Sequence, residues 1–209
     1  MEPRADLVDA TLATVRERGI VGTSETAIAE RAAVDPGEVE GAGGGLGALL
    51  AEAARVISRE RVAVYADRLG EAATFAALAE VARELHAEEH DNGNLAVLTQ
   101  LLAGARAYPD LGPALRESVD IFAEEVAASL ERLLAGSALE DLLPTGELAR
   151  SLSAGFLGLE LVDAVTDEHD PGLFGALDTL VALADLVADA GPMQRSLLRA
   201  RLRPQLEGG

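Results

Sequence analysis

The stretch Ile28-Ala29-Glu30-Arg31-Ala32-Ala33-Val34-Asp35-Pro36-Gly37-Glu38 holds the end of one helix and the start of the next. Asp35 is suited to accept the orphan N–H groups of a first turn, Pro36 to the first helical position, and Glu38 to closing a capping box back onto Asp35. The preceding helix carries Ile28, Ala29 and Ala32 on one face and is capped by the hydroxyl of Thr23 or Ser24. Before it, Val8, Leu12 and Val15 mark a first helix that stops at Gly19. This punctuation predicts three short helices in a helix-turn-helix arrangement.

Working outward, the helical period continues almost without a break. A long helix is expected from about Leu46 to Leu69, another from about Ala72 to Glu89, and one from about Leu95 to Ala107, ending before Pro109. Leu115, Val119, Phe122, Val126, Ser129 and Leu133 alternate steps of four and three, as do Leu148, Leu152, Gly155, Leu159 and Val162. Each set forms a seam that wants a partner. In the second, Ser151/Gly155 and Ala154/Gly158 are small pairs that let two backbones approach. A last helix, opened by Pro171 or Gly172, runs through Leu173, Leu177, Leu180, Ala184 and Val187 to Gly191-Pro192.

Composition agrees with an all-α chain. Of 209 residues 49% are hydrophobic but only 3% aromatic, so the core must be built from Leu, Val and Ala, which pack readily between helices. The absence of cysteine excludes disulfide scaffolds, thiolate metal sites and cysteine nucleophiles. The N-terminus reads as no signal peptide, and no apolar run approaches the roughly 18 residues of a membrane span. A soluble, cytoplasmic protein without membrane association is expected.

Charge bears most directly on function. The chain has 36 acidic and 17 basic residues, a net −19, and every basic residue is arginine. Residues 1–47 hold Arg4, Arg16, Arg18 and Arg31 against nine acids, and only the tail, with Arg195, Arg199, Arg201 and Arg203 against Glu207, is basic. Nucleic-acid binders usually carry a basic face that displaces counterions from phosphates, so the balance points the other way. The arginine tail, interleaved with Leu197, Leu198 and Leu202, is suited to a partner or to the acidic body of its own dimer.

Leu7-Val8-Asp9-Ala10, Arg18-Gly19-Ile20, Thr23-Ser24, Ile28 to Val34 and Gly37, followed later by Ala107-Tyr108-Pro109-Asp110-Leu111 and Leu115-Arg116-Glu117, resemble the TetR family of bacterial repressors. The resemblance implies a helical homodimer. It divides the chain into a helix-turn-helix domain at 1–47 and a larger helical ligand-binding and dimerisation domain at 48–209. It also implies a dimer seam that includes Leu152, Gly155, Gly158, Leu159, Val162, Leu177, Leu180 and Ala184. A small-molecule pocket is implied inside the helices from about residue 50 to 135, where Tyr65, Thr99, Gln100, Tyr108 and Phe122 are lining candidates. No cofactor is implied.

The departure lies in the third helix. After Gly37 the family typically continues with a small hydroxyl residue, Leu, Tyr, two polar or aromatic residues, Phe, two loop residues and Lys. Here the positions that would read DNA are Glu38, Val39, Glu40, Gly41, Gly43 and Leu46, in the run Glu38-Val39-Glu40-Gly41-Ala42-Gly43-Gly44-Gly45-Leu46. Carboxylates at 38 and 40 repel phosphate oxygens, and each interior glycine costs a helix roughly 1 kcal/mol relative to alanine. The third helix is therefore expected to be short and a poor groove reader. Direct DNA binding is expected to be lost or weakened, leaving action through a small-molecule ligand or a protein partner, a paired regulator among them. A divergent but functional ligand-responsive repressor, using Arg4, Arg16 or Arg31 on phosphates, is the alternative reading.

One further constellation is His86-Ala87-Glu88-Glu89-His90, the inverted zincin spacing. It offers His86 and His90 as weak metal-ligand candidates with Glu89 as base, and His169 or an acid as a third ligand. The competing reading is a polar helix end before Asp91-Asn92-Gly93-Asn94. No phosphate-binding loop or Ser-His-Asp order stands out, and an enzyme is not the expectation.

Overall fold

The computed structural model describes residues 5–41, 44–137, 139–140, 143–163, 175–188, 190–191, 193–194, 196–197 and 200. Among them are nine helices and no strand: α1 (Ala5–Arg18), α2 (Glu25–Ala32), α3 (Pro36–Gly41), α4 (Gly45–Glu71), α5 (Phe75–Asp91), α6 (Asn94–Gly104), α7 (Leu111–Leu134), α8 (Thr145–Asp163) and α9 (Gly175–Ala188). No helix among the described residues is long and apolar enough to cross a membrane. Pro171, Gly172, Leu173, His169 and the tail arginines lie outside the described residues.

Local chemistry explains most of the ends. Ser24, not Thr23, caps α2: its Oγ accepts the Ala27 N–H at 3.2 Å, while the Thr23 hydroxyl donates to the Gly19 carbonyl at 2.8 Å. The Gly37 N–H donates to Asp35 Oδ1 at 2.9 Å and the Asp35 N–H to Glu38 Oε1 at 3.3 Å, which closes the capping box that starts α3. Between these helices Ala33 adopts a left-handed φ of 55°. Its N–H donates to Glu30 O at 3.4 Å and that of Val34 to Ala29 O at 3.1 Å, the paired bonds that close a helix C-terminus. α6 stops at Gly104, short of the expected Ala107, because the N–H groups of Ala107 and Tyr108 both turn back to the Gly104 carbonyl.

The chain divides into two compact units, Met1–Val64 with Ala87–Ile121, and Tyr65–His86 with Phe122–Gly209. In the first, Leu7, Ala10, Ile28, Ala29, Val39 and Leu49 form the core of the helix-turn-helix. A second cluster joins Val15 and Ile20 to Leu50, Ala51, Ala54, Val97, Leu101, Leu111, Ala114 and Leu115. α1 to α3 therefore share continuous apolar packing with the start of α4, with α6 and with the start of α7.

In the second unit, Val126, Leu130, Leu134 and Ala149 form one cluster and Tyr65, Leu69 and Leu85 another. α7 closes the C-terminus of α4 there. The Ser129 hydroxyl donates to the Leu69 carbonyl at 2.9 Å, and one Arg132 nitrogen donates to Leu69 O at 3.0 Å and Ala72 O at 2.9 Å. A guanidinium on helix-end carbonyls also suits the negative end of the α4 dipole.

Candidate nucleic-acid interface and apolar seam

α3 is a six-residue helix, Pro36-Gly37-Glu38-Val39-Glu40-Gly41. Val39 is fully buried against Leu7, Ile28 and Leu49, which anchors the helix and removes that position from solvent. What α3 presents outward is Glu38, Glu40 and three residues without functional side chains. No side chain of α3 carries a hydrogen-bond donor at neutral pH, whereas phosphate oxygens and guanine edges are read by donors. A glutamate can accept from a cytosine amino group, but only while facing flanking phosphates of its own sign.

Gly44 and Gly45 form an elbow at the start of α4. Gly44 has φ 118° and Gly45 φ 69°, conformations that side-chain-bearing residues rarely adopt. A Cβ on Gly44 would lie 2.7 Å from Cβ of Ala48. The turn brings the α4 N-terminus to Glu25, whose Oε1 accepts the Leu46 N–H at 3.0 Å. Leu46 packs half-buried against both clusters of the first unit. Gly43 lies outside the described residues.

The arginines of this region face acids or amides of their own chain. Arg31 pairs with Glu17, Arg18 Nη1 lies 3.9 Å from Glu30, and Arg16 donates to Asn94 Oδ1 at 3.0 Å. Arg4 lies outside the described residues. α6 holds the other side of α1. Gln100 Oε1 accepts the Ile20 N–H at 3.0 Å, and a Cβ on Gly104 would meet Cγ1 of Ile20 at 2.8 Å.

The pocket candidates fall into both units. Gln100 and Tyr108 belong to the first; Gln100 fixes the turn after α1, and Tyr108 packs on the Leu50–Leu101 cluster. Thr99 is half-buried on α6. Tyr65 and Phe122 come together in the second, around Leu69 and Leu85, where Phe122 stacks on Phe156 with ring centroids 6.2 Å apart. Phe156 follows Gly155 and falls outside the repeating α8 seam, so the sequence pattern does not single it out.

On α5, His86 is buried, His90 is exposed, and Glu89 is ion-paired with Arg61 of α4. Among the described residues no three His, Cys, Asp or Glu side chains are placed to hold a metal ion.

α8 and α9 carry four of the exposed large hydrophobic residues; Val21, Val64, Met193 and Leu197 are exposed elsewhere. Leu152 is 40% and Val162 51% exposed on α8, and Leu183 is 55% and Leu186 71% exposed on α9. Leu159 and Ala184 are half-buried. A Cβ on either Gly155 or Gly158 would meet nothing within 4 Å. Leu177 and Leu180 fall on α9, with side chains outside the described set. Leu183 and Leu186 were not expected. The sequence pattern favours the Leu173–Val187 stripe.

No protein-family model matches the sequence, and comparison with curated proteins finds no match. Solved structures do match. A chain from Streptomyces coelicolor A3(2), assigned as a transcriptional regulator, is 27% identical with a TM-score of 0.64, over 86% of this chain and 96% of that one. A chain from Mesorhizobium loti MAFF303099, assigned to the TetR family of transcriptional regulators, is 19% identical with a TM-score of 0.67, over 86% and 93%. A transcriptional regulator from Rhodococcus sp. Rha1 is 21% identical with a TM-score of 0.64, over 90% and 98%. The chain has the all-helical fold of TetR-type regulators.

Proposed function

We propose that this chain is a TetR-type regulator whose helix-turn-helix scaffold is intact but whose direct DNA binding is lost or strongly weakened. One observation carries the proposal: α3 is correctly capped and anchored by Val39, yet its outward face is acidic and without donors. In functional terms, residues 1–47 form the altered reading segment and 48–209 the body that binds a ligand or partner. The body acts as a cytoplasmic homodimer, joined through the apolar faces of α8 and α9. The exposed Leu152, Val162, Leu183 and Leu186 and the open space above Gly155 and Gly158 support that seam. A small apolar ligand would sit among Tyr65, Phe122 and their neighbours. The metal-enzyme reading is not carried forward, because Glu89 serves an ion pair with Arg61.

Fluorescence anisotropy against a pool of short duplexes, including the chain's own upstream region, tests the proposal at low and at physiological salt. The expected result is no sequence-dependent binding at either. Salt-sensitive binding that keeps a sequence preference would instead establish a divergent repressor. One observation favours that second reading: Arg16, Arg18 and Arg31 are exposed, and surface ion pairs worth about 0–1 kcal/mol yield readily to phosphates.

A restorative test accompanies it. Glu38→Gln with Glu40→Tyr removes both charges while keeping an acceptor for the capping box. Replacing Leu46 with Lys would also disturb the packing of the first unit, so the double variant is the cleaner probe.

A further inference from the structure

On α9 one acid, Asp185, faces its own subunit beside the half-buried Val181, Ala184 and Val187. Asp185 Oδ1 accepts the Phe75 N–H at 2.8 Å and Oδ2 the Ala76 N–H at 3.0 Å, so a single carboxylate holds two of the orphan donors at the α5 N-terminus. Two helical turns earlier Asp178 pairs with Arg83, two turns further along α5. These two acids fix α9 antiparallel to α5 through polar contacts, while Leu183 and Leu186 remain exposed.

We propose that Asp185 is a positioning residue for the α8/α9 seam: by clamping α9 to the first turn of α5 it sets the rotation at which Leu183 and Leu186 meet a second copy. The inference rests on the dimer reading above. The Asp185 carboxylate faces α5, and it acts by fixing the helix that carries the seam. The acid is suited to this because each of its two oxygens accepts one N–H, a charge-assisted pair that holds an orientation as well as a distance. Apolar contacts, which are non-directional, would leave α9 freer to roll. Asp178 contributes less, since its pair with Arg83 is partly solvated, with the Asp178 side chain 55% exposed.

The experiment compares wild type, Asp185→Ala, Asp185→Asn and Asp178→Ala by sedimentation across a concentration series, with amide exchange read at Phe75 and Ala76. Asp185→Ala is expected to speed exchange at both amides and weaken dimerisation on the order of tenfold. Asp185→Asn, with one acceptor oxygen left, should fall between it and wild type. Asp178→Ala should stay within about twofold of wild type. If Asp185→Ala loses its helical circular dichroism, the asparagine variant carries the comparison. A dimeric wild type whose affinity is unchanged in the Asp185 variants would overturn the positioning role, as would unchanged exchange at Phe75 and Ala76. A monomeric wild type would overturn the dimer reading itself, and this inference with it.

Discussion

The carboxylate of Glu25, in the first turn of α2, accepts the backbone N–H of Leu46, in the first turn of α4, at 3.0 Å. Helix N-termini attract anions, and here an internal carboxylate fills that role at the elbow after α3. Glu25→Ala should destabilise the chain by about 1 kcal/mol, while Glu25→Gln, which keeps a side-chain oxygen, should cost less than half of that. Urea unfolding measures the difference. Equal losses would mean that the contact contributes nothing as a hydrogen bond.

Ala33 holds the left-handed conformation that closes α2, with φ 55° and a Cβ that disfavours it. Its side chain is exposed, so a smaller residue loses no core contact. Ala33→Gly should therefore raise stability by about 0.5–1 kcal/mol, read as a higher thermal midpoint. A lower midpoint would show that the gain in unfolded-state entropy outweighs the relieved strain.

Glu117 on α7 bridges two arginines of α4: its Oε2 accepts from Arg55 Nε at 2.9 Å and its Oε1 from Arg59 Nη2 at 3.0 Å. The hydrogen bond from Arg55, then that from Arg59, holds the Glu117 carboxyl below its ordinary range, and the same bond raises Arg55. A depressed folded-state value means that the stabilisation is present above the unfolded glutamate value of about 4.3 and is lost as pH falls through the folded one. The stability gap between wild type and Glu117→Gln should be constant above about pH 5 and narrow in more acidic solution. A gap independent of pH down to acid unfolding would contradict this.

Gly155 offers a clean probe of the seam, because within the protomer a Cβ there meets nothing within 4 Å. Gly155→Leu should leave the monomer fold intact or slightly firmer, since glycine weakens a helix interior. It should nevertheless shift the sedimentation profile toward monomer. An unchanged dimer would move the seam elsewhere.

How much was legible in advance follows from the distance over which each contact acts. The helix-turn-helix was readable because its signals are local: Ser24 reaches Ala27, and Asp35 and Glu38 cap each other within one turn. The α8 stripe through Leu152, Gly155 and Val162 was readable for the same reason, since a repeat of three and four is a property of one helix. Missing donors on α3 could likewise be seen from residue types alone.

The helices, their caps and the acidic, donor-free side chains of α3 are fixed by the residues themselves, because each follows from backbone hydrogen bonding and side-chain type within a few residues. Only the tertiary structure decided which faces those helices turn to one another. It buried Val39, set Gln100 against Ile20, and turned Asp185 inward onto α5, leaving Leu183 and Leu186 exposed. Those contacts join residues far apart in the chain, and a periodic pattern gives a helix's faces without saying which neighbour each will meet. An aspartate on such a helix reads as solvated until the orphan N–H groups it serves are brought to it.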